Sequence, residues 1–309
     1  PQALREEEKV DAKTGMTFQQ FIDAHYLPHA FATKRSAAAD ESRIRTHVIP
    51  IFGSREMMKI TSLEVQQFHN TNKAKMSPAS ANRVFETIRH AYNLAMLWGL
   101  VETSPAKGIR LHAEHNQRQR YLSTDELRRF LKALDTEPNR TAADFFRLLL
   151  ATGTRKTEAL TCRWADVDIE QRRWLLRHTK NGRGRFVLLN DSALAVFQSR
   201  PHPPGAIFAF PGKDAGKAMN NPMKAFRRVL KVASITDFRL HDLRHAHASL
   251  AINSGASLYE VQNLLGHTQS STTARYAHLA PERLLAVSGQ VSALLTSAQQ
   301  PLVPALPTT

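Results

Sequence analysis

The chain has one cysteine, Cys162, in 309 residues, so no intrachain disulfide can form. A reducing, cytoplasmic location is the resulting expectation. No apolar run approaches the roughly 20 residues of a membrane span. The first ten residues, PQALREEEKV, hold no apolar stretch, so no secretory leader is expected there. No internal repeat is visible. Acidic residues are also scarce: 27 Asp and Glu stand against 42 Lys and Arg, a formal net charge of +15. So basic a chain points to a polyanionic partner, nucleic acid first and an anionic membrane surface second. No basic block of the membrane-anchor kind is present. The charge is spread instead, 12 Lys and Arg against 7 Asp and Glu over residues 17–110, and 26 against 14 over residues 118–280. Two basic regions in series suggest a clamp around double-stranded DNA.

What the chain does contain is mostly helical pattern. Residues 1–15 are polar and aperiodic and read as a mobile arm. Phe18, Phe21, Ile22 and Tyr26 then share a helical face. Thr61 with Glu64 forms a capping box. Val84, Ile88, Ala91, Ala95 and Trp98 continue the helical period up to Gly99. Residues 16–110 thus read as a small domain of four or five helices, and residues 111–120 as a linker. A second domain follows over residues 121–288. Ser123 and Glu126 cap its first helix, ADFFRLLLATG reads as a buried helix ending at Gly153, and Ser257 with Glu260 opens a helix that stops at Gly266. The stretch RRWLLRHTKNGRGRFVLLN breaks the rhythm. It has two apolar runs around Asn181-Gly182, a β-hairpin signature. After it the chain reads as helix, and the Pro-rich tail within residues 289–309 reads as disordered. The expected fold is mainly α with a small β-sheet or hairpin in the second domain.

Titratable residues crowd RLHDLRHAHASL, residues 239–250, where burial is costly without partners. Three other segments carry related chemistry: Arg155 past Gly153, Lys180 near the hairpin turn, and His267 past a helix end with Tyr276 nine residues on. Metal-free phosphodiester cleavage needs such a set. Arg155 and Arg244 can clamp the nonbridging oxygens with forked hydrogen bonds. The Tyr276 hydroxyl can attack phosphorus once its proton is removed. His241 or His267 can accept that proton or stabilise the phosphate. Lys180 with a lowered pKa can protonate the leaving 5′ oxygen.

This pattern resembles the tyrosine recombinase, or phage integrase, family. The family's Gly-x-Arg with an acid three residues later matches Gly153, Arg155 and Glu158. Its H-x-L-R-H box matches His241 through His245, its L-G-H box matches Leu265, Gly266 and His267, and its T-T-x-x-Y context matches Tyr276. The hairpin lysine matches Lys180 by context. Thr154, His247 and Ser249 depart from the commoner residues. The resemblance implies an N-terminal helical core-type DNA-binding domain and a C-terminal catalytic domain. It implies a site-specific recombinase working through a 3′-phosphotyrosine, with no cofactor and no metal. It further implies a homotetramer on two DNA sites, a monomer free in solution, possible accessory DNA-bending proteins, and a C-terminal helix after Pro281 that docks either on its own domain or on a neighbouring protomer. Two other readings stay open: type IB topoisomerase-like relaxation, and a catalytically silent DNA-binding protein.

Blander readings compete residue by residue. Arg155 with Glu158 is also an ordinary helix-surface ion pair, and Glu158 reads as a structural partner. Lys156, Arg183 and Arg185 rival Lys180. His241 and His245, at i and i+4, also suit zinc on one helix face, but nothing in the run completes a ligand set. His245 and His247 read as structural or DNA-facing, and His278 as a bystander.

Overall fold

The structure, a computed structural model, describes residues 15–114, 120–177, 184–214, 216–277 and 288–295. Lys180, Arg183, the Asn181-Gly182 turn, His278, nearly all of the predicted arm and the tail beyond residue 295 lie outside the described residues. The chain divides into two compact units, Pro1–Asn116 and Gln117–Thr309. Among the described residues no helix is long and apolar enough to cross a membrane.

Among its described residues the first unit holds four α-helical runs and a 3-10 turn at Met57–Lys59. Helices α1 (Phe18–Phe21) and α2 (Leu27–Thr33) are one run, as are α3 (Ala37–Arg43) and α4 (Ile49–Phe52). Each run is interrupted by a single wide turn, over Ile22–Tyr26 and Ile44–Val48. In each turn an N–H reaches back five residues, Leu27 to Ile22 and Ile49 to Ile44. Pro28 and Pro50 follow directly. A proline inside a helix lacks the N–H and crowds the preceding turn, and a wide turn relieves both defects. Helices α5 (Ser62–Lys75) and α6 (Pro78–Leu97) pack on each other. The Thr61–Glu64 capping box opens α5, and Ser77 with Pro78 opens α6. The core is Phe18, Phe21, Ile22, Tyr26, Phe85 and Tyr92 with their aliphatic neighbours.

The second unit is centred on α8 (Arg140–Thr152), which follows α7 (Thr124–Thr136) and precedes the short α9 (Lys156–Leu160). Phe145, Phe146 and Leu148 of α8 are wholly buried. Strands β2 (Arg173–Leu176) and β3 (Arg185–Leu188) form the expected hairpin, antiparallel, with Trp174 opposite Val187. A two-residue strand β1 (Val167–Asp168) adds an edge that the sequence pattern is too short to reveal. Trp174, Leu176 and Val187 point into the core. Helices α10 (Asp191–Ser199), α11 (Met223–Val232), α12 (Asp242–Asn253), α13 (Leu258–Leu265) and α14 (Ser270–Ala274) complete the described part, with a further helix over 288–295. Helix α8 packs against α10 and α12, and α7 against α11.

The expectation of helix from the hairpin onward fails over residues 200–222. Their described part holds no helix, only the isolated bridges Arg163 to Phe208 and Pro211 to Ala218. Pro201, Pro203, Pro204 and Pro211 remove backbone donors, and Gly205 takes a φ of 82°, so no helical ladder can run there.

Phe146 meets Phe145 and Phe226 edge-on in this core. Phe146→Ala is expected to lower unfolding free energy by about 3–5 kcal/mol. Denaturant unfolding should show this as a shifted midpoint with an unchanged slope. A loss smaller than about 1 kcal/mol would place Phe146 outside the cooperative core.

Candidate active site

The site is assembled at the ends of four helices. Helix α8 stops at Gly153, whose φ of 62° lets the chain reverse. A Cβ there would lie 2.6 Å from His247 Cδ2 and 2.7 Å from Leu265 Cδ2, so a side chain has no room. Two residues on, Arg155 begins α9 and closes a ring with Glu158. Its backbone N–H donates to Oε2 at 2.9 Å and its Nη1 to Oε1 at 2.8 Å. Glu158 is buried, whereas the Arg155 side chain keeps 28 % exposure. Arg185 of β3 stands 3.7 Å from the same carboxylate and donates from Nη2 to the Leu265 carbonyl at 3.2 Å. Those contacts make Arg185 a brace between β3 and α13. Lys156, the other described rival, does not line the cavity.

Arg244, on the first turn of α12, is 3 % exposed. It donates from Nη1 to the Gly153 carbonyl at 2.6 Å and from Nη2 to the Leu265 carbonyl at 2.7 Å. Both acceptors end helices, where the backbone dipole is negative. Burial, and then the charge of Arg155, brings the guanidinium pKa down to about 10. It remains a cation at neutral pH.

His241 is the N-cap of α12, with His245 one turn on and the two rings edge-on at 5.2 Å. Burial and then Arg244 hold the His241 pKa below its ordinary value. His267 follows Gly266, a second left-handed glycine at the end of α13. Its Nδ1 is 2.8 Å from Thr273 Oγ1. Burial, reinforced by Arg244 and Arg155, takes the His267 pKa to about 4. Thr273 also accepts the Tyr276 backbone N–H at 3.0 Å through its carbonyl. Thr273 therefore meets a histidine through its side chain and the tyrosine through its backbone.

Tyr276 is 5 % exposed, its ring packed on Ala248, Ile252, Val261 and Leu265. Burial raises its pKa, while Arg275 and Arg244 pull it back. Its hydroxyl meets His245 Nδ1 at 2.5 Å. His245 was read from sequence as structural or DNA-facing, and this contact sets it against the tyrosine instead. His247 does turn inward, its Nδ1 3.0 Å from the Leu150 carbonyl.

Five of the six sequence-proposed residues, Arg155, His241, Arg244, His267 and Tyr276, line one cavity of about 390 Å³. Lys180 lies outside the described residues. His245 and Arg275 line the cavity as well. Among the described residues no group of three His, Cys, Asp or Glu side chains is placed to hold a metal ion. Chemically, the cavity offers three guanidiniums for an anion, neutral imidazoles for a proton and a phenol oxygen as nucleophile.

The sequence model of the Phage integrase family matches residues 120–283, and that of the phage integrase N-terminal SAM-like domain matches residues 32–72. The Integrase of Salmonella phage P22 is 27% identical over 210 residues, 64% of this chain and 53% of its own length. The chain thus spans about half the length of that relative. Tyrosine recombinase XerC of Xanthomonas campestris pv. campestris is 26% identical over 234 residues, 74% of this chain and 72% of its own. Among solved structures, a lambda integrase tetramer bound to a Holliday junction superposes with a TM-score of 0.67 at 17% identity, covering 82% of this chain and 78% of that one. That likeness is one of fold.

Gly153→Ala is expected to destabilise the protein by about 2 kcal/mol or more, since it adds a clash to left-handed strain. Gly205→Ala is the control. Its φ is 82° but a Cβ there meets nothing within 4 Å, so only the strain, about 1 kcal/mol, should be lost. Thermal or denaturant unfolding of the two variants measures the difference, and equal losses would refute the close packing at Gly153.

Proposed function

The chain belongs to the phage integrase family, and on that premise we propose that it is a site-specific DNA recombinase cutting and rejoining strands through a tyrosine. The observation that carries the reading is the convergence of Arg155, His241, Arg244, His267 and Tyr276 on one cavity. They come from three separate chain segments, and no packing requirement alone gathers two guanidiniums, two imidazoles and a phenol.

In this mechanism the scissile phosphate enters the cavity between Arg155 and Arg244. Two Arg244 donors are held by helix-end carbonyls, which orients the guanidinium before the substrate arrives. Preorganised donors of this kind stabilise the charge that develops on the nonbridging oxygens. His267, steadied by Thr273, adds a donor to the phosphate. Tyr276 Oη attacks phosphorus and forms the 3′-phosphotyrosine, and the 5′ oxygen departs with a proton from Lys180. The 5′ hydroxyl of a partner strand later reverses the step. Bond energy is kept in the covalent link, so neither ATP nor a metal is required. The partners in this reading are double-stranded DNA and four copies of the chain on two DNA sites, as in the lambda tetramer. Phosphate contacts by the basic surface give affinity, and base-edge contacts give sequence choice.

Tyr276→Phe removes one oxygen with little change in volume. It should bind DNA within a few-fold of wild type and yield no SDS-stable protein–DNA adduct on a nicked suicide duplex. An adduct persisting in the variant would assign the nucleophile elsewhere. For the general acid, Lys180→Ala should cleave ordinary DNA slowly and recover on DNA with a 5′-bridging phosphorothiolate, whose leaving group needs no proton. Failure of that rescue would remove Lys180 from the role.

A further inference from the structure

We propose that His245 is a catalytic residue of this chain, the base that takes the Tyr276 hydroxyl proton during strand cleavage and returns it on rejoining. The inference rests on the recombinase reading and assigns a proton path within that site. The carrying observation is the contact of His245 Nδ1 with Tyr276 Oη at 2.5 Å. It is the hydrogen bond the described residues give that hydroxyl. His241 and His267 also line the cavity, but His267 Nδ1 is engaged by Thr273 Oγ1.

The direction of the bond follows from donor and acceptor counts. A neutral imidazole has one donating and one accepting nitrogen. If Nδ1 carried the proton, the Tyr276 O–H would have to find another acceptor. With Nδ1 bare, the phenol donates and the imidazole accepts, which is the arrangement a general base requires. The surroundings keep the ring neutral, so one of its nitrogens is an acceptor. Burial first, then His241, Arg275 and Arg244, hold the His245 pKa at about 4, against an opposing pull from Asp242. The groups facing His245 are therefore His241, Asp242 and Arg244 from its own helix, Arg275 and Tyr276 from the segment after α14, and His267 from the segment after α13.

The ring of Tyr276 is already fixed by apolar packing on Ala248, Ile252, Val261 and Leu265. The hydroxyl bond is thus not needed to hold the ring, and it lies where the proton must leave. Arg244 and Arg275 favour the phenolate that remains. A phosphate entering the cavity adds negative charge beside His245 and brings its proton affinity back toward the ordinary value near 6.5. The base becomes competent when substrate is bound.

The step balances. The O–H proton passes to Nδ1, the Oη electron pair forms the bond to phosphorus, the bond from phosphorus to the 5′ oxygen breaks, and that oxygen takes a proton from the general acid. On rejoining, the incoming 5′ hydroxyl gives its proton to the deprotonated general acid, its oxygen bonds to phosphorus as the bond from phosphorus to Oη breaks, and His245 returns its proton to Oη.

The test is single-turnover cleavage of a nicked duplex built from the repeats that flank the encoding gene, from pH 5 to 9, with wild type, His245→Asn and His245→Ala. Asparagine can place an acceptor oxygen near the Nδ1 position but cannot take up a proton. Wild type should show a rate that rises with pH and levels off as His245 becomes neutral. Both variants should bind the duplex within a few-fold of wild type and cleave slower at pH 7 by a factor of about 10²–10⁴. Their rates should keep climbing toward pH 9, because the proton then leaves to solvent. His245→Asn cleaving near the wild-type rate would overturn the proposal and leave His245 a positioning residue. Faster cleavage by either variant would overturn it too, by showing that the bond restrains the nucleophile. If wild type gives no adduct at all, the recombinase reading fails and this proposal with it.

Discussion

Arg244 bonds through its two terminal nitrogens to the last carbonyls of two helices, Gly153 of α8 and Leu265 of α13. Arg155 and His267 each stand two residues past an end of that bridge. Gly153 must be left-handed and without a Cβ for its carbonyl to reach the guanidinium past His247 and Leu265. The turn that this permits delivers Arg155 to the same cavity. Leu265 precedes Gly266 and His267, so the other end of the bridge sets the histidine. Arg185 shares the Leu265 carbonyl and the Glu158 carboxylate, and thereby ties the hairpin strand into the cluster. A buried guanidinium without such acceptors would be costly. The two helix ends supply them and leave its other donors for an anion.

The charge balance of the cavity favours an anion for a related reason. Arg155, Arg185 and Arg244 gather about the buried Glu158 carboxylate, and Arg275 lines the cavity beside them, with Asp242 the other buried carboxylate nearby. The histidines respond by staying neutral, with burial and the arginines both opposing their protonation. Tyr276 is pushed up by burial and pulled down by Arg275 and Arg244. A phosphate would relieve the cationic repulsion and shift all of these groups together. Binding and activation are then two readings of one electrostatic event.

The sequence was legible where local chemistry decides structure. The capping boxes at Thr61, Ser123 and Ser257 open helices as their spacing predicts. The glycines at 153 and 266 end helices through left-handed backbone. The hairpin strands also stand where the apolar runs placed them. Legibility fell where distant parts of the chain decide. The contact of His245 with Tyr276 spans 31 residues of sequence, and at i+4 from His241 the residue read most simply as architecture. The contacts of Arg185 with the Leu265 carbonyl and Glu158 join positions 80 and 27 residues apart and leave no local pattern. In residues 200–222 the prolines and Gly205 are the local signal against the helix expected there. Arg275, directly before the tyrosine in sequence, reaches the cavity by that adjacency.

The wide turns before Pro28 and Pro50 have a consequence in chain length. Each holds one residue more than an α-helical turn, so the buried face slips by a position as the helix passes through it. Phe18 and Ile22 lie on the buried side, and so do Tyr26 and Ala30 farther on, although an unbroken helix would place residues 25 and 29 nearer that side. The surplus residue and the proline are therefore paired: each makes the other tolerable. A deletion inside Ile22–Tyr26 restores an unbroken helical period only if Pro28 is replaced at the same time. A single-step deletion meets a proline in mid-helix, and a single-step proline replacement leaves an unneeded bulge. In this helix the length of the chain and the identity of one residue can drift only together.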